Sequence, residues 1–403
     1  MSLFSGIQMA PRDPTLGPTE AFNQDPSPEK VNLGVGVYLT DEGRIPVLKA
    51  VADAERRLLA ATAPRGYLPI DGIAAYDTAV QKLLLGESSP LIEAGCAITA
   101  QSLGGTGALK IGADLLKKVL PRASVAISDP TWDNHRGVFE SAGFPVVAYP
   151  YYDSATRGVR FEAMVAFLNA QAPGTIIVLH ACCHNPTGVD LTADQWESLL
   201  VVLRERALVP FLDIAYQGFA AGIEEDGAIV RKFAESGMPV LIASSFSKSF
   251  SLYGERVGAL TIIDSNREES TRVLSQLKRV IRANYSTPPT HGGSLVSIVL
   301  TTPALRDSWL QELTEMRERI KRMRVSLVER LRAHDANRDF SFVLRQTGMF
   351  SYSGLTENQV DRLREDFHIY AVNTGRICVA ALNSKNVDYV AKAITSVLDD
   401  APL

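Results

Sequence analysis

The stretch Ser244-Ser245-Phe246-Ser247-Lys248-Ser249-Phe250-Ser251-Leu252-Tyr253-Gly254-Glu255-Arg256-Val257-Gly258 ends an apolar run, Pro239 to Ala243, and sets one lysine among hydroxyls with an arginine eight residues on. Hydroxyls and a fixed guanidinium hold a phosphate dianion well, and a lysine sheltered from water can lose its proton and form an imine with an aldehyde. Lys248 therefore reads as the anchor of a phosphorylated aldehyde cofactor, pyridoxal phosphate (PLP).

Strand-length apolar runs recur on both sides of this stretch, at Ala97 to Ala100, Val125 to Ser128, Pro145 to Tyr149, Thr175 to Leu179, Val209 to Ile214, Val240 to Ala243 and Gly258 to Ile263, mostly separated by helical patterns. The alternation predicts an α/β fold with a mainly parallel sheet covered by helices, in which ligands bind beyond the strand carboxyl ends. Between Leu305 and Ala333 the apolar residues Leu310, Leu313, Met316, Ile320, Met323, Leu327 and Leu331 fall three and four apart, which predicts one long amphipathic helix. Beyond it, Phe340 to Leu344, a strand over Gly348 to Tyr352, a helix near Glu357 to Phe367, a run from Arg376 to Ala380 and a last helix suggest a smaller α/β domain. At the other end, Pro11, Pro14, Pro18, Pro26 and Pro28 predict an irregular segment over residues 1–30, then a strand over Val31 to Tyr38 and a helix from about Pro46 to Ala61.

The composition narrows the function classes. With 403 residues, 46% hydrophobic and 21% charged, the chain is an ordinary globular protein with room for a large core. A net charge of −4 without a Lys/Arg run argues against a nucleic-acid partner. The N-terminus lacks a signal-peptide pattern and no apolar run approaches membrane-spanning length, so a cytoplasmic location and no membrane partner are expected. Cys96, Cys182, Cys183 and Cys378 are too few for a disulfide framework and read as reduced thiols.

Several strand ends carry chemistry. Gln101 to Lys110 contains Gly104, Gly105 and Thr106 where a strand passes into a helix, a geometry that binds phosphate; a glycine turn required by tight packing is an equal reading. The segment matches neither the P-loop nor the dinucleotide fingerprint, which disfavours ATP and NAD. Trp132 lies just past another strand end, where it could stack on a flat ring, although a lone tryptophan is more often core. His180-Ala181-Cys182-Cys183-His184-Asn185-Pro186-Thr187-Gly188 invites a metal reading, but a second ligand pair is missing and neighbouring side chains of an extended chain point opposite ways. No metal is expected, and Asn185 is the better functional candidate. Asp213 closes an apolar strand with Tyr216 three residues on; a helix cap is the plain alternative. Facing a pyridinium nitrogen at ~4 Å, such a carboxylate is worth about 4 kcal/mol, or roughly three pK units, and keeps that nitrogen protonated. Arg282 and Arg376 are surface charges by default, but Arg376 leads into an apolar run, where a bound carboxylate suits it.

Taken together, Ala10-Pro11-Arg12-Asp13-Pro14, Asn32 to Tyr38, Tyr67-Leu68-Pro69, the Gly104 loop, His184 to Gly188, Asp213 to Tyr216, the Lys248 stretch, Asn284-Tyr285-Ser286 and Gly348-Met349-Phe350-Ser351 resemble the class I aminotransferases of PLP fold type I, in their aspartate and aromatic (tyrosine) branch. The resemblance implies a large domain with a seven-stranded sheet over residues 47–312, a small domain from 13–46 and 313–403, and an arm over 1–12. It implies that Lys248 carries PLP, that Asp213 meets the ring nitrogen, and that Tyr216 and Asn185 bond the ring oxygen while Trp132 stacks on the ring. Gly104, Gly105, Thr106, Ser245, Ser247 and Arg256 would lie around the phosphate, with Tyr67 reaching it from a neighbouring subunit. Arg376 and Gly36, near Trp132 and Asn185, would take the substrate α-carboxylate, and Arg282 of the partner subunit would face the substrate side chain. The expected enzyme is a homodimer with shared sites that moves the amino group of aspartate and of Tyr, Phe or Trp to 2-oxoglutarate, cycling between PLP and pyridoxamine phosphate. The Asp129-Pro130 and Asn185-Pro186 bonds are expected cis. An aspartate-specific enzyme, or a PLP lyase or decarboxylase on the same scaffold, is the alternative; an amino-acid-sensing regulator and a nicotinamide oxidoreductase fit less well.

Overall fold

Short runs of Val, Ile, Leu, Ala and Phe, buried on both faces, behave as strands of a helix-covered sheet must. In the computed structural model, which describes residues 2–10, 16–336 and 338–399, they form β1 (Ala97–Leu103), β2 (Val125–Asp129), β3 (Val146–Pro150), β4 (Ile176–His180), β5 (Val209–Ile214), β6 (Val240–Ser245) and β7 (Val257–Ile263). Their order across one seven-stranded sheet is β1-β7-β6-β5-β4-β2-β3. Neighbours are parallel except that β7 runs antiparallel to both β1 and β6. Six carboxyl ends therefore lie along one edge of the sheet, and β7 starts at that same edge with Arg256 immediately before it. The edge strand β3 departs from full burial, with Val147 39% exposed.

Alternation along the strands divides the core into two layers. Phe211 of β5 packs with Leu109, Ile111 and Leu277 beneath the helices Gly104–Val119 and Arg267–Asn284, while Leu212 and Ile214 join the layer on the opposite face that includes Trp309. A close approach between β7 and the start of the Gly104–Val119 helix depends on Gly258. A Cβ there would lie 2.4 Å from the Gly104 carbonyl carbon and 2.7 Å from the Ser244 carbonyl oxygen.

The long Pro303–Ala333 helix is the one the apolar spacing predicted. Val31–Asn32 pairs in parallel with Ile369–Tyr370, and Phe350–Tyr352 pairs antiparallel with Arg376–Cys378. The Glu357–Phe367 helix opens on a capping box formed by Thr356 and Gln359. Among the described residues no helix is long and apolar enough to cross a membrane.

Two local expectations fail for identifiable reasons, and two runs left without an assigned element take a definite form. The strand expected over Val31 to Tyr38 stops at Asn32, because Oδ1 of Asn32 accepts from the amides of Gly34 and Val35, both at 3.1 Å, and turns the chain. Within residues 1–30, Leu16–Gln24 is helical; Pro18 sits in its first turn, where a missing N–H costs nothing, and Phe22 packs edge-on against Tyr370 at 5.8 Å. The segment near Phe340 to Leu344 is a 3-10 turn, Ser341–Arg345, whose surroundings are tied by buried Arg324. Its guanidinium donates to the carbonyls of Val343 (3.2 Å), Thr347 (3.2 Å), Gly348 (2.8 Å) and Phe350 (2.6 Å). The run from Arg376 to Ala380 pairs only through Cys378 and then coils as Val379–Ala381. Pro11 to Pro14, part of the expected arm and of the family-like start, lies outside the described residues.

Gly258→Ala is expected to destabilise the protein by ~2 kcal/mol or more, because backbone rather than a flexible side chain must yield, and thermal unfolding with and without PLP measures this. An unchanged melting point would show that the contact carries no strain.

Candidate active site

The strand ends deliver charged and polar groups to one edge because each strand stops where its apolar run gives way to polar residues. A cavity of about 170 Å³ opens there, with Lys248, Asp213, Tyr216 and Asn185 on its wall together with Gly105, Thr106, Ser245, Ser247 and Arg256. Trp132 and Gly36 also line it. Eleven residues named from sequence thus share one cavity although they span positions 36 to 256.

At one end are the donors. Gly104 has a φ of +68°, which suits glycine, and its amide donates to the Arg256 carbonyl at 2.9 Å, joining the helix start to the residue before β7. A Cβ on Gly104 would strike the Arg256 guanidinium at 2.4 Å, and one on Gly105 would crowd Ser245 at 3.2 Å, so the cradle closes only around glycine. Arg256 donates to the Ser247 hydroxyl at 3.3 Å and to the Tyr253 carbonyl at 2.9 Å. Two hydroxyls, a guanidinium and the free amides of a sixteen-residue helix make a donor set for a dianion.

At the other end lies Asp213, which is 6% exposed. Burial alone would raise its pKa, but the hydrogen bond from His135, with help from the Lys248 charge, outweighs that and holds the carboxyl below its ordinary value. An ionised Asp213 can only accept, so His135 donates from Nε2 across 3.0 Å, and Nδ1 accepts from the Thr131 hydroxyl at 2.7 Å. His135 was not singled out in the sequence. The usable signal was the spacing of four between Thr131 and His135, which a helical turn brings together. His180, read from sequence only as a metal temptation, lines the cavity, and Tyr253 does so too, its hydroxyl accepting from the Tyr38 amide at 2.8 Å. Desolvation holds His180 neutral, with its pKa pushed down to about 3. Donor atoms of His135, His180 and Asp213 fall within 4.8 Å of one another, but Nε2 of His135 is committed to Asp213, which makes the group a proton-positioning network.

Lys248 stands between these ends. Burial lowers its pKa to about 8 against the opposing pull of Asp213, and Arg256 and Arg376 lower it further. Its Nζ lies 4.8 Å from the centre of the Tyr216 ring. Asn185 donates to the Tyr216 hydroxyl at 3.4 Å and accepts from Arg376 at 3.2 Å. Arg376, 3% exposed, also donates to the Gly34 carbonyl at 2.8 Å and packs over the Phe350 ring, while its Nε–H is left without a protein partner. A buried guanidinium bonded to neutral oxygens with a donor to spare is suited to an incoming carboxylate. Both Asp129-Pro130 and Asn185-Pro186 are cis, as expected.

Four named residues do not line this cavity: Gly104 and Arg376 bond to residues that do, Arg256 and Asn185, whereas Tyr67 and Arg282 stand apart from it within the single chain. Tyr67 is 96% exposed, and Arg282 is exposed at the end of the Arg267–Asn284 helix, hydrogen-bonded to the Ser286 hydroxyl.

Residues 28–394 match the family model described as aminotransferase class I and II. An aspartate aminotransferase of Pseudomonas aeruginosa is 64% identical over 99% of this chain and 100% of its own length. An aromatic-amino-acid aminotransferase of Escherichia coli is 50% identical over 98% of this chain and 100% of its own. Among solved structures, an aromatic-amino-acid aminotransferase from Burkholderia pseudomallei, covalently bound to pyridoxal phosphate, superposes with a TM-score of 0.96 at 66% identity, covering 99% of this chain and 100% of that one. With its fold, its lysine and carboxylate in one cavity, and these full-length likenesses, the chain belongs to the class I and II aminotransferase family.

Proposed function

We propose that this protein is a PLP-dependent aminotransferase that moves the amino group of aspartate and of aromatic amino acids to 2-oxoglutarate in two half-reactions. The observation that carries the reading is the cavity in which buried Lys248 lies between an ionised carboxylate at Asp213 and a dianion cradle at Gly105, Thr106, Ser245, Ser247 and Arg256. The donor set fits PLP: a phosphate at the cradle, an aldehyde at Lys248 and a ring nitrogen at Asp213. When bound, PLP supplies the electron sink that allows the substrate Cα–H bond to ionise.

Each residue then has a defined task. Lys248 would hold the aldehyde through Nζ, and its free Nζ would take the Cα proton and later return it; a pKa near 8 suits both directions. Asp213, kept charged and oriented by His135, opposes the protonated ring nitrogen. Tyr216 and Asn185 would hold the ring oxygen, and Trp132 would cover the ring face. Arg376 takes the substrate α-carboxylate with Gly36 beside it, and its bond to Asn185 ties carboxylate binding to the ring-oxygen site.

Tyr67 and Arg282, which stand apart from the cavity, define the assembly. We assign Tyr67 of the partner subunit to the phosphate and Arg282 of the partner subunit to the substrate side chain, which makes the working unit a homodimer with shared sites. Arg282 pairs with the second carboxylate of aspartate, and because it sits exposed on a helix end it can turn into water when the side chain is aromatic. Residues 47–312 form the PLP-binding domain, with 13–46 and 313–403 as the small domain and 1–12 as the arm. A reducing cytoplasm suits the four buried, unbridged cysteines.

Lys248→Ala should abolish the visible Schiff-base absorbance and cut turnover on the order of 10⁴-fold; a retained band would remove Lys248 from its role. Capture of PLP by the apoprotein requires the neutral amine, so its rate should fall about tenfold per pH unit below pH ~8 and level off above it, and a flat profile between about pH 6 and 9 would contradict the lowered lysine pKa. Arg282→Ala should reduce kcat/KM for aspartate ~100-fold while leaving phenylalanine within a few-fold. Mixing Lys248→Ala with Arg282→Ala subunits should restore aspartate turnover through one intact site per dimer, and failure of restoration would argue against shared sites.

A further inference from the structure

Cys182 and Cys183 follow β4, both buried and unbridged. In an extended chain adjacent side chains face opposite ways. That geometry does not hold here, because Cys183 has a φ of +52°, in the left-handed region. Such a backbone must be held from outside. Asp190 holds it, accepting from the Cys183 amide and from the His184 amide, each at 2.8 Å, while the Thr347 hydroxyl fixes the same carboxylate at 2.7 Å. As a result both cysteine sulfurs and a carboxylate oxygen of Asp226 lie within 4.8 Å of one another.

Asp226 is oriented in advance. Its carboxyl group accepts from the amides of Gly218 (2.8 Å), Ala220 (3.0 Å), Ala221 (2.9 Å) and Gly222 (3.4 Å), which fixes its oxygens beside the two thiols, while burial raises its pKa against these bonds. Cys182 and Asp226 also border a cavity of about 310 Å³, shared with Asp190, Trp196 and Lys232, which offers a small ion a path inward. This cavity is separate from the one around Lys248, although Cys183 Sγ lies 3.8 Å from the Tyr216 carbonyl and so backs onto its wall.

We propose that Cys182, Cys183 and Asp226 form a binding site for one thiophilic divalent cation of the zinc and cadmium class. Two sulfurs and one oxygen select such an ion over magnesium or calcium, which require oxygen donors. Tetrahedral Zn–S bonds of about 2.3 Å place two sulfurs about 3.8 Å apart, so side-chain adjustment of about 1 Å or less completes the site, with water as fourth ligand. Both thiols carry protons beforehand: Cys182 is held up by its hydrogen bond with Cys183 and by burial, and Cys183 by burial. Binding exchanges two S–H bonds for two S–metal bonds and releases two protons to solvent.

Cadmium chloride titrated into the PLP-loaded wild-type protein is the direct test. A thiolate-to-cadmium charge-transfer band should rise in the ultraviolet and saturate near one equivalent, with about two protons released per ion. Cadmium should also protect the peptide containing Cys182 and Cys183 from alkylation, read by mass spectrometry, whether or not any variant folds. Cys182→Ser and Cys183→Ser should each weaken binding at least ~10-fold and reduce the band, while Cys96→Ser and Cys378→Ser leave it unchanged. Asp226→Asn should keep a two-sulfur band at lower affinity, and unchanged affinity would overturn the three-donor assignment. The absence of a saturable band, absence of protection, or a band that follows Cys96 or Cys378 would overturn the site.

Discussion

An ionised carboxylate held inside the protein is the constraint on which the candidate active site depends. Asp213 sits near the end of a strand buried along all but its first residue, where an unpaired charge would cost several kcal/mol and would instead take up a proton. The His135 hydrogen bond prevents that, and Thr131 fixes the imidazole in turn. The same negative charge opposes the burial that lowers the Lys248 pKa, so the nucleophile settles near neutrality rather than far below it. Acid, base and orienting groups are thus coupled through one buried anion.

The sheet makes this coupling geometric. Parallel strands end at a common edge, and the single antiparallel strand, β7, brings Arg256 to that edge from the other direction. Gly258 permits the close packing that sets the Gly104 loop against β7, and the Gly104 amide completes the link by donating to Arg256. The anion cradle and the Asp213 end of the cavity are therefore parts of one rigid layer. Arg376 enters from outside the sheet and is joined to it by Asn185.

Much of this was legible in the chain itself. All seven sheet strands were marked by apolar runs, and the Glu357–Phe367 helix matches its expected bounds because Thr356 and Gln359 give it a definite start. Lys248, Asp213, Tyr216, Asn185 and the glycine loop were found because each interrupts or ends an apolar run with a group that burial would otherwise exclude. His135 was missed because its partner is 78 positions away, and Tyr253 because a phenol in a turn carries no periodic signal. The Leu16–Gln24 helix was missed because the prolines around it outweighed a short pattern that is stabilised by contact with Tyr370.

The adjacent cysteines show the same division from the other side. The expectation that they diverge rested on an extended backbone, and the left-handed turn at Cys183, held by Asp190 and Thr347, reverses it. By itself the sequence determined the succession of strands and helices, the candidate lysine and the candidates around it, since periodicity and the cost of burying polar groups are local properties. Only the tertiary structure decided which histidine supports Asp213, which glycines accept neighbouring backbone and where the cysteine thiols point, because those depend on partners that folding brings together from distant parts of the chain.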